Sequence, residues 1–315
     1  MKKLMFATAV AAAGLAYGVE SANVVGYTTL NAGAGKWTMV GVQFEDVGTT
    51  SKNLLEYVKT TAKPVTKANQ TSGATLMLMR NGVYSTYYYQ SDAFNSTLFD
   101  ENFDWDAFEA LAEEDEDAAD EMFEAEASKA MYYSEGWAIP GGNLVTSVPV
   151  DVGDAAWYYN PSEAATLTMA GEVNGTLSFP IPCGAGMNMV ASPYPGDVAF
   201  SKLSFGKLVA AESAADATTI MVMGASGTYS TYYYLADAFN TALFDENFDW
   251  DAYDELAEED EDAADAMFEA EASKAMYHSA GWAIPGGNLA TGTFAPTGYG
   301  FWLKLPTADT ATVTK

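Results

Sequence analysis

One long stretch of this chain is present twice. LFDENFDWDAFEALAEEDEDAADEMFEAEASKAMYYSEGWAIPGGNL, from Leu98, returns from Leu243 with six changes in 47 positions. Just upstream, GVYSTYYYQSDAFN at Gly82 returns as GTYSTYYYLADAFN at Gly227, so both matches share an offset of 145. The flanks match more loosely. GKWTMVGVQF at Gly35 resembles GMNMVASPY at Gly186, LMLM at Leu76 resembles IMVM at Ile220, and AAWYYN at Ala155 resembles GYGFWLKL at Gly298. Self-similarity over so long a period marks a supersecondary unit copied whole. Each copy is long enough to be a domain. The expected organisation is one unit over residues 19–173 and a second over 174–315, joined at the turn-like AGEVNGT.

Outside the acidic blocks each unit reads as β. WTMVGVQF, ATLMLM, VYSTYYY, NLVTSVPV, AAWYYN and ATLTM are short, rich in β-branched or aromatic residues, and punctuated by Gly, Pro, Asn and Asp. KNLLEYVK at Lys52 reads as a short helix. The acidic block reads differently. Trp105, Phe108, Leu111, Ala112, Ala118, Ala119, Met122, Phe123, Ala127 and Ala130 recur three or four apart, and no Gly or Pro interrupts 104–133. That spacing predicts an amphipathic helix over 104–133 and another over 249–278. Asp104 or Asn102 suits its N-cap, and Gly136 its end. A break near Glu114 to Asp117 would turn the helix into a helical hairpin. The block stands between two strand-like segments, so it reads as a helical insertion into a β-hairpin. The expected fold class is α+β, mainly β: two small sandwich- or barrel-like units, each carrying a long acidic helix.

The chain opens MKKLMFATAVAAAGLAYG, with two lysines, a short apolar run and small residues before Val19. This pattern predicts a secretory signal peptide over residues 1–18 and a secreted protein, periplasmic, surface-bound or extracellular. No later run of 18 apolar residues suggests a membrane span. Cys183 is the only cysteine, so no disulfide can form within the chain. A thiol–imidazole pair of Cys183 with the single histidine, His278, is disfavoured because neither residue recurs in the other copy. The net charge of −29 argues against nucleic acid, whose phosphates it would repel. That charge is concentrated. Fourteen carboxylates lie between Leu98 and Met131 against Lys129, and fourteen between Leu243 and Met276 against Lys274. The rest of the chain is a nearly neutral scaffold.

VESANVVGYTTL at Val19, the Gly-led WTMVGVQF, the Tyr-rich hairpin, the GW pair, AAWYYNP and ATLTMAGEV together resemble the secreted SANVVGY-type repeat proteins of verrucomicrobial and lentisphaeral bacteria. The resemblance covers both units except the acidic insertions. It implies a secreted, repetitive protein and carries over no catalytic residue.

Two sets of residues are candidates for binding. Glu113, Glu114, Asp115, Glu116 and Asp117, with Glu258, Glu259, Asp260, Glu261 and Asp262, crowd like charges that raise one another's pKa and welcome a counter-ion, so loose binding of Ca2+ or Mg2+ is one reading. A solvated helix face that keeps the protein soluble is the other. DENFDWD at Asp100 begins like an EF-hand loop, but Trp105 stands where that loop needs Gly and Leu111 where it needs a bidentate Glu. Tyr87, Tyr89, Tyr232 and Tyr234 form an aromatic platform for sugar rings if they face outward, and part of a packed core if they do not. The sequence supports no phosphate loop, zinc spacing or nucleophile elbow. The expected function is a non-enzymatic structural or adhesive protein of the cell surface or extracellular matrix, without a resident cofactor. Its expected partners are itself, a basic protein or a polysaccharide. A polysaccharide-binding module is the alternative, and a hydrolase a more distant one.

Overall fold

The computed structural model describes residues 25–46, 51–58, 63–80, 82–161, 164–224 and 227–315. The expected signal peptide lies outside them. The first half contains β1 (Val25–Ala32), β2 (Lys36–Gly41), β3 (Phe44–Glu45), β4 (Ser51–Asn53), β5 (Thr75–Arg80), β6 (Val83–Phe94), β7 (Tyr133–Ala138), β8 (Pro149–Asp151), β9 (Ala155–Asn160) and β10 (Ala165–Val173). The second contains β11 (Ser178–Cys183), β12 (Gly186–Ala191), β13 (Val198–Ala199), β14 (Leu203–Phe205), β15 (Thr219–Met223), β16 (Tyr229–Phe239), β17 (His278–Ala283), β18 (Thr293–Ala295), β19 (Gly300–Leu305) and β20 (Asp309–Thr314). The protein is α+β, mainly β.

Strand order recurs between the halves. A five-stranded antiparallel sheet runs β2-β9-β5-β6-β7 in the first and β12-β19-β15-β16-β17 in the second. A three-stranded sheet runs β1-β10-β3 in the first and β11-β20-β14 in the second. Side chains of a strand alternate between faces, and here both faces of each large sheet are covered. Leu76, Leu78, Ala156 and Tyr158 face inward and pack with Leu30, Leu167 and Met169 of the small sheet. Ile220, Val222, Phe301 and Leu303 do the same with Ile181, Ala311 and Val313.

The opposite face of each large sheet meets the other half. Met39, Ala155 and Trp157 pack with Met189, Ala191 and Trp302, flanked by Met77, Met79, Met187, Met221 and Met223. The Trp157 and Trp302 rings lie 6.4 Å apart across this seam, and Trp302 Nε1 donates to the Tyr229 hydroxyl at 3.4 Å. Seven of the chain's fourteen methionines line the seam, which therefore depends on flexible thioethers rather than branched side chains. The backbone closes it as well. Gly41 N–H donates to Gly298 O at 2.9 Å, and Ala191 N–H to Gly153 O at 2.8 Å.

Leu54–Tyr57 is the short helix expected at Lys52, capped by Asn53, whose side chain accepts from Leu55 N–H at 3.2 Å. Of NLVTSVPV only Pro149 and Val150 are in a strand, β8, which pairs with β4. The preceding residues instead tether the loop: Val145 N–H donates to Trp137 O at 2.7 Å and Val148 N–H to Asn53 Oδ1 at 3.0 Å. Among the described residues no helix is long and apolar enough to cross a membrane.

Candidate functional site

The acidic blocks sit between β6 and β7 and between β16 and β17. Phe94 pairs with Tyr133, and Phe239 with His278, so each insertion leaves and re-enters its hairpin at adjacent positions. The first insertion holds three helices: α1 (Ser96–Asn102, numbering from the insertion), α2 (Trp105–Glu114) and α3 (Glu116–Ala127). The single helices over 104–133 and 249–278 are thus each corrected to a helical hairpin, the second formed by Trp250–Glu259 and Glu261–Ala272. The cause is local. Asp115 is extended, at φ −153° and ψ 98°, and its carboxylate accepts from Ala118 N–H at 3.2 Å. Asp104 caps α2 in the same way through Ala107 N–H at 3.0 Å, and Asn95 caps α1 through Leu98 N–H at 3.1 Å. Helix α3 ends at Ser128, and Gly136 lies inside β7.

Each insertion has its own small aromatic core. Phe99, Phe103 and Tyr132 are buried, with Phe94, Leu98, Phe108, Met122, Phe123 and Ala127 against them. Phe99 lies 4.8 Å from Phe103, 5.0 Å from Phe123 and 5.2 Å from Tyr132, ring centre to ring centre. Phe244, Phe248, Tyr277 and Phe268 repeat the arrangement. Phe99 and Phe103 fall outside the apolar series that starts at Trp105. Their four-residue spacing after a capping Asn95 was the signal available for them.

Thirteen of the fourteen carboxylates of each insertion are exposed, among them Glu113, Glu114, Asp115, Glu116 and Asp117 and their counterparts Glu258, Glu259, Asp260, Glu261 and Asp262. The remaining pair, Glu126 and Glu271, does structural work. Glu126 pairs with Lys129 and accepts from the buried Tyr132 hydroxyl at 2.9 Å; Glu271 pairs with Lys274 and accepts from Tyr277 at 2.9 Å. The lysine contact first and the tyrosine contact second hold both carboxyls below the ordinary carboxylate range. Tyr253, where the first half has Phe108, donates to Asp265 at 3.2 Å, and that bond raises its pKa. Among the described residues no three metal-ligating side chains are brought together.

The tyrosines lie elsewhere. Tyr87 and Tyr89 are half-buried against the core of the first half, and Tyr232 and Tyr234 against that of the second. The Tyr89 ring lies 5.3 Å from that of Trp137, tilted by 60°, and its hydroxyl donates to Glu135 Oε1 at 2.5 Å. Tyr232 lies 5.1 Å from Phe200, and Tyr234 5.6 Å from Trp282. Cys183 is buried on β11, where burial pushes its thiol up to about 11, while His278 stands at the start of β17 against Phe239. The arrangement as a whole is a β scaffold presenting two compact anionic hairpins. Comparison with family models, with curated proteins and with solved structures finds no match.

Proposed function

We infer that the protein is a secreted, non-enzymatic structural or adhesive component of the cell surface or extracellular matrix, whose paired acidic hairpins make its surface sensitive to divalent cations. The observation that supports this most is the division of labour inside each insertion. Aromatic residues hold the hairpin together, so its carboxylates are free to face solvent. Crowded carboxylates on a fixed frame repel one another, and a divalent ion relieves that repulsion more effectively than monovalent salt. Secretion rests on the N-terminal pattern MKKLMFATAVAAAGLAYG.

Calcium titration of the purified protein tests the reading, with light scattering and thermal melting as readouts. About 10⁻³ M calcium, the range of extracellular modules, is expected to raise the melting temperature or the mass, and NaCl of equal ionic strength to do neither. Glu113→Gln, Glu114→Gln, Glu116→Gln and Asp117→Asn, combined with their second-half equivalents, should abolish the response. A calcium response no larger than that to NaCl overturns the reading.

A further inference from the structure

A strand at the border of a sheet presents unpaired N–H and C=O groups, and folded proteins blunt such borders. Nearly every border described here is blunted. β3 and β14, and the strands of the two-stranded sheets, β4, β8, β13 and β18, have only two or three residues each. β2 and β12 are bridged by the opposite half, Val40 to Tyr299 and Val190 to Asp154. β7 and β17 are covered by their own returning chain, through Ala138 to Leu144 and Ala283 to Leu289.

That leaves β1 and β11, the equivalent borders of the two small sheets. β11 is SFPIPC. Lys315 N–H donates to Leu177 O at 3.1 Å, so Leu177, Phe179 and Ile181 turn their backbone groups toward β20. Pro180 and Pro182 therefore stand at the positions that face outward, where proline offers no N–H. In β1, VGYTTLNA, the matching positions are Thr29 and Asn31, because Thr29 pairs with Thr168 as Pro180 pairs with Thr312. β1 has eight residues, no proline and no charge, and Val25 and Tyr27 are 69% and 76% exposed.

We propose that β1 is a docking edge for a second copy of this chain, adding antiparallel to its counterpart about a two-fold axis at Thr29, so that Tyr27 of each copy lies opposite Asn31 of the other. Charge favours a copy over a basic partner. A basic protein would be drawn to the insertions, whereas β1 is neutral and meets β2 and β9, at the border of the large sheet away from β7. Three and four strand spacings, about 14 and 19 Å, then separate β2 from β6 and β7, the two strands that bear the insertion, and the two acidic surfaces need not meet. The prolines of β11 also explain why such an assembly stops: one open border among the described strands closes a dimer, whereas two would build a filament. This dimer does not depend on divalent cations.

Sedimentation of the purified chain tests it, in EDTA and moderate salt. Wild type should be a dimer at micromolar concentration. Thr29→Pro, which copies β11 into β1, should be a monomer with an unchanged circular dichroism spectrum. If that variant fails to fold, Thr29→Lys, which leaves the backbone intact, should also be monomeric. Pro180→Thr with Pro182→Asn should produce species larger than the dimer. Thr29→Cys should form a disulfide between chains, since Cys183 is buried and Thr29 would face itself at about 5.5 Å between Cα atoms. A monomeric wild type, or a dimer that persists in folded Thr29→Lys, overturns the proposal.

Discussion

Gln90 on β6 stands where β16 carries Leu235. Both precede a register shift in their hairpins, pairing with Gly136 and Gly281. Gln90 is fully buried, yet neither its Oε1 nor its Nε2 has a hydrogen-bond partner among the described residues. Leu235 fills the same place among Ala217, Tyr233 and Ala283 without any polar atom to satisfy. A buried polar group left unpaired costs about 1–3 kcal/mol. Gln90→Leu is therefore expected to stabilise the protein by about that much, raising the melting temperature by a few degrees. A melting temperature that falls on substitution would mean that the amide has a partner the geometry does not reveal.

At the scale of elements, the insertion shows what was readable in the chain and what was not. Its place in the hairpin follows from strand-like VYSTYYY and GWAIP on either side, and its helicity from Ala, Glu and the apolar spacing. The break at Asp115 was not decided by composition, because EEDED contains no Gly or Pro. It is decided by the chance to cap a second helix and by the gain from folding Phe123 back onto Phe99. The seam between the large sheets was hidden for a related reason. In TLMLM and TIMVM every residue after the first reads as core, and only the packing of distant strands assigns Leu76, Leu78, Ile220 and Val222 to the inner layers and the methionines to the seam. If Asp115 acts as a cap, Asp115→Ala should cost about 0.5–2 kcal/mol of local stability and speed amide exchange in α3. Asp115→Asn removes the same charge but keeps the capping oxygen, so it should leave exchange nearly unchanged. Equal acceleration in both variants would assign the effect to charge instead.

Across the whole molecule, the two halves meet through positions that are counterparts of one another. Gly41 on β2 faces Ala191, its equivalent on β12: a Cβ at Gly41 would lie 2.6 Å from the Ala191 Cβ. Gly300 on β19 faces Ala155, its equivalent on β9, and a Cβ there would lie 2.5 Å away. Each contact thus has room for one methyl group and not two. An interface between identical copies would place alanine against alanine or glycine against glycine, so the mixed pairs reflect divergence that let the sheets approach closely. Neither clash is with the far end of a flexible side chain, so the sheets themselves must move apart to relieve it. Gly41→Ala should cost about 1–3 kcal/mol through overpacking, seen as a lower denaturation midpoint. Ala191→Gly alone should cost about 0.5–1 kcal/mol, the usual penalty of glycine in a strand. The double variant moves the methyl group from one sheet to the other and should recover most of the loss, leaving a coupling energy well above the error of a double-mutant cycle. Additive losses would show that the halves are not held together at this contact.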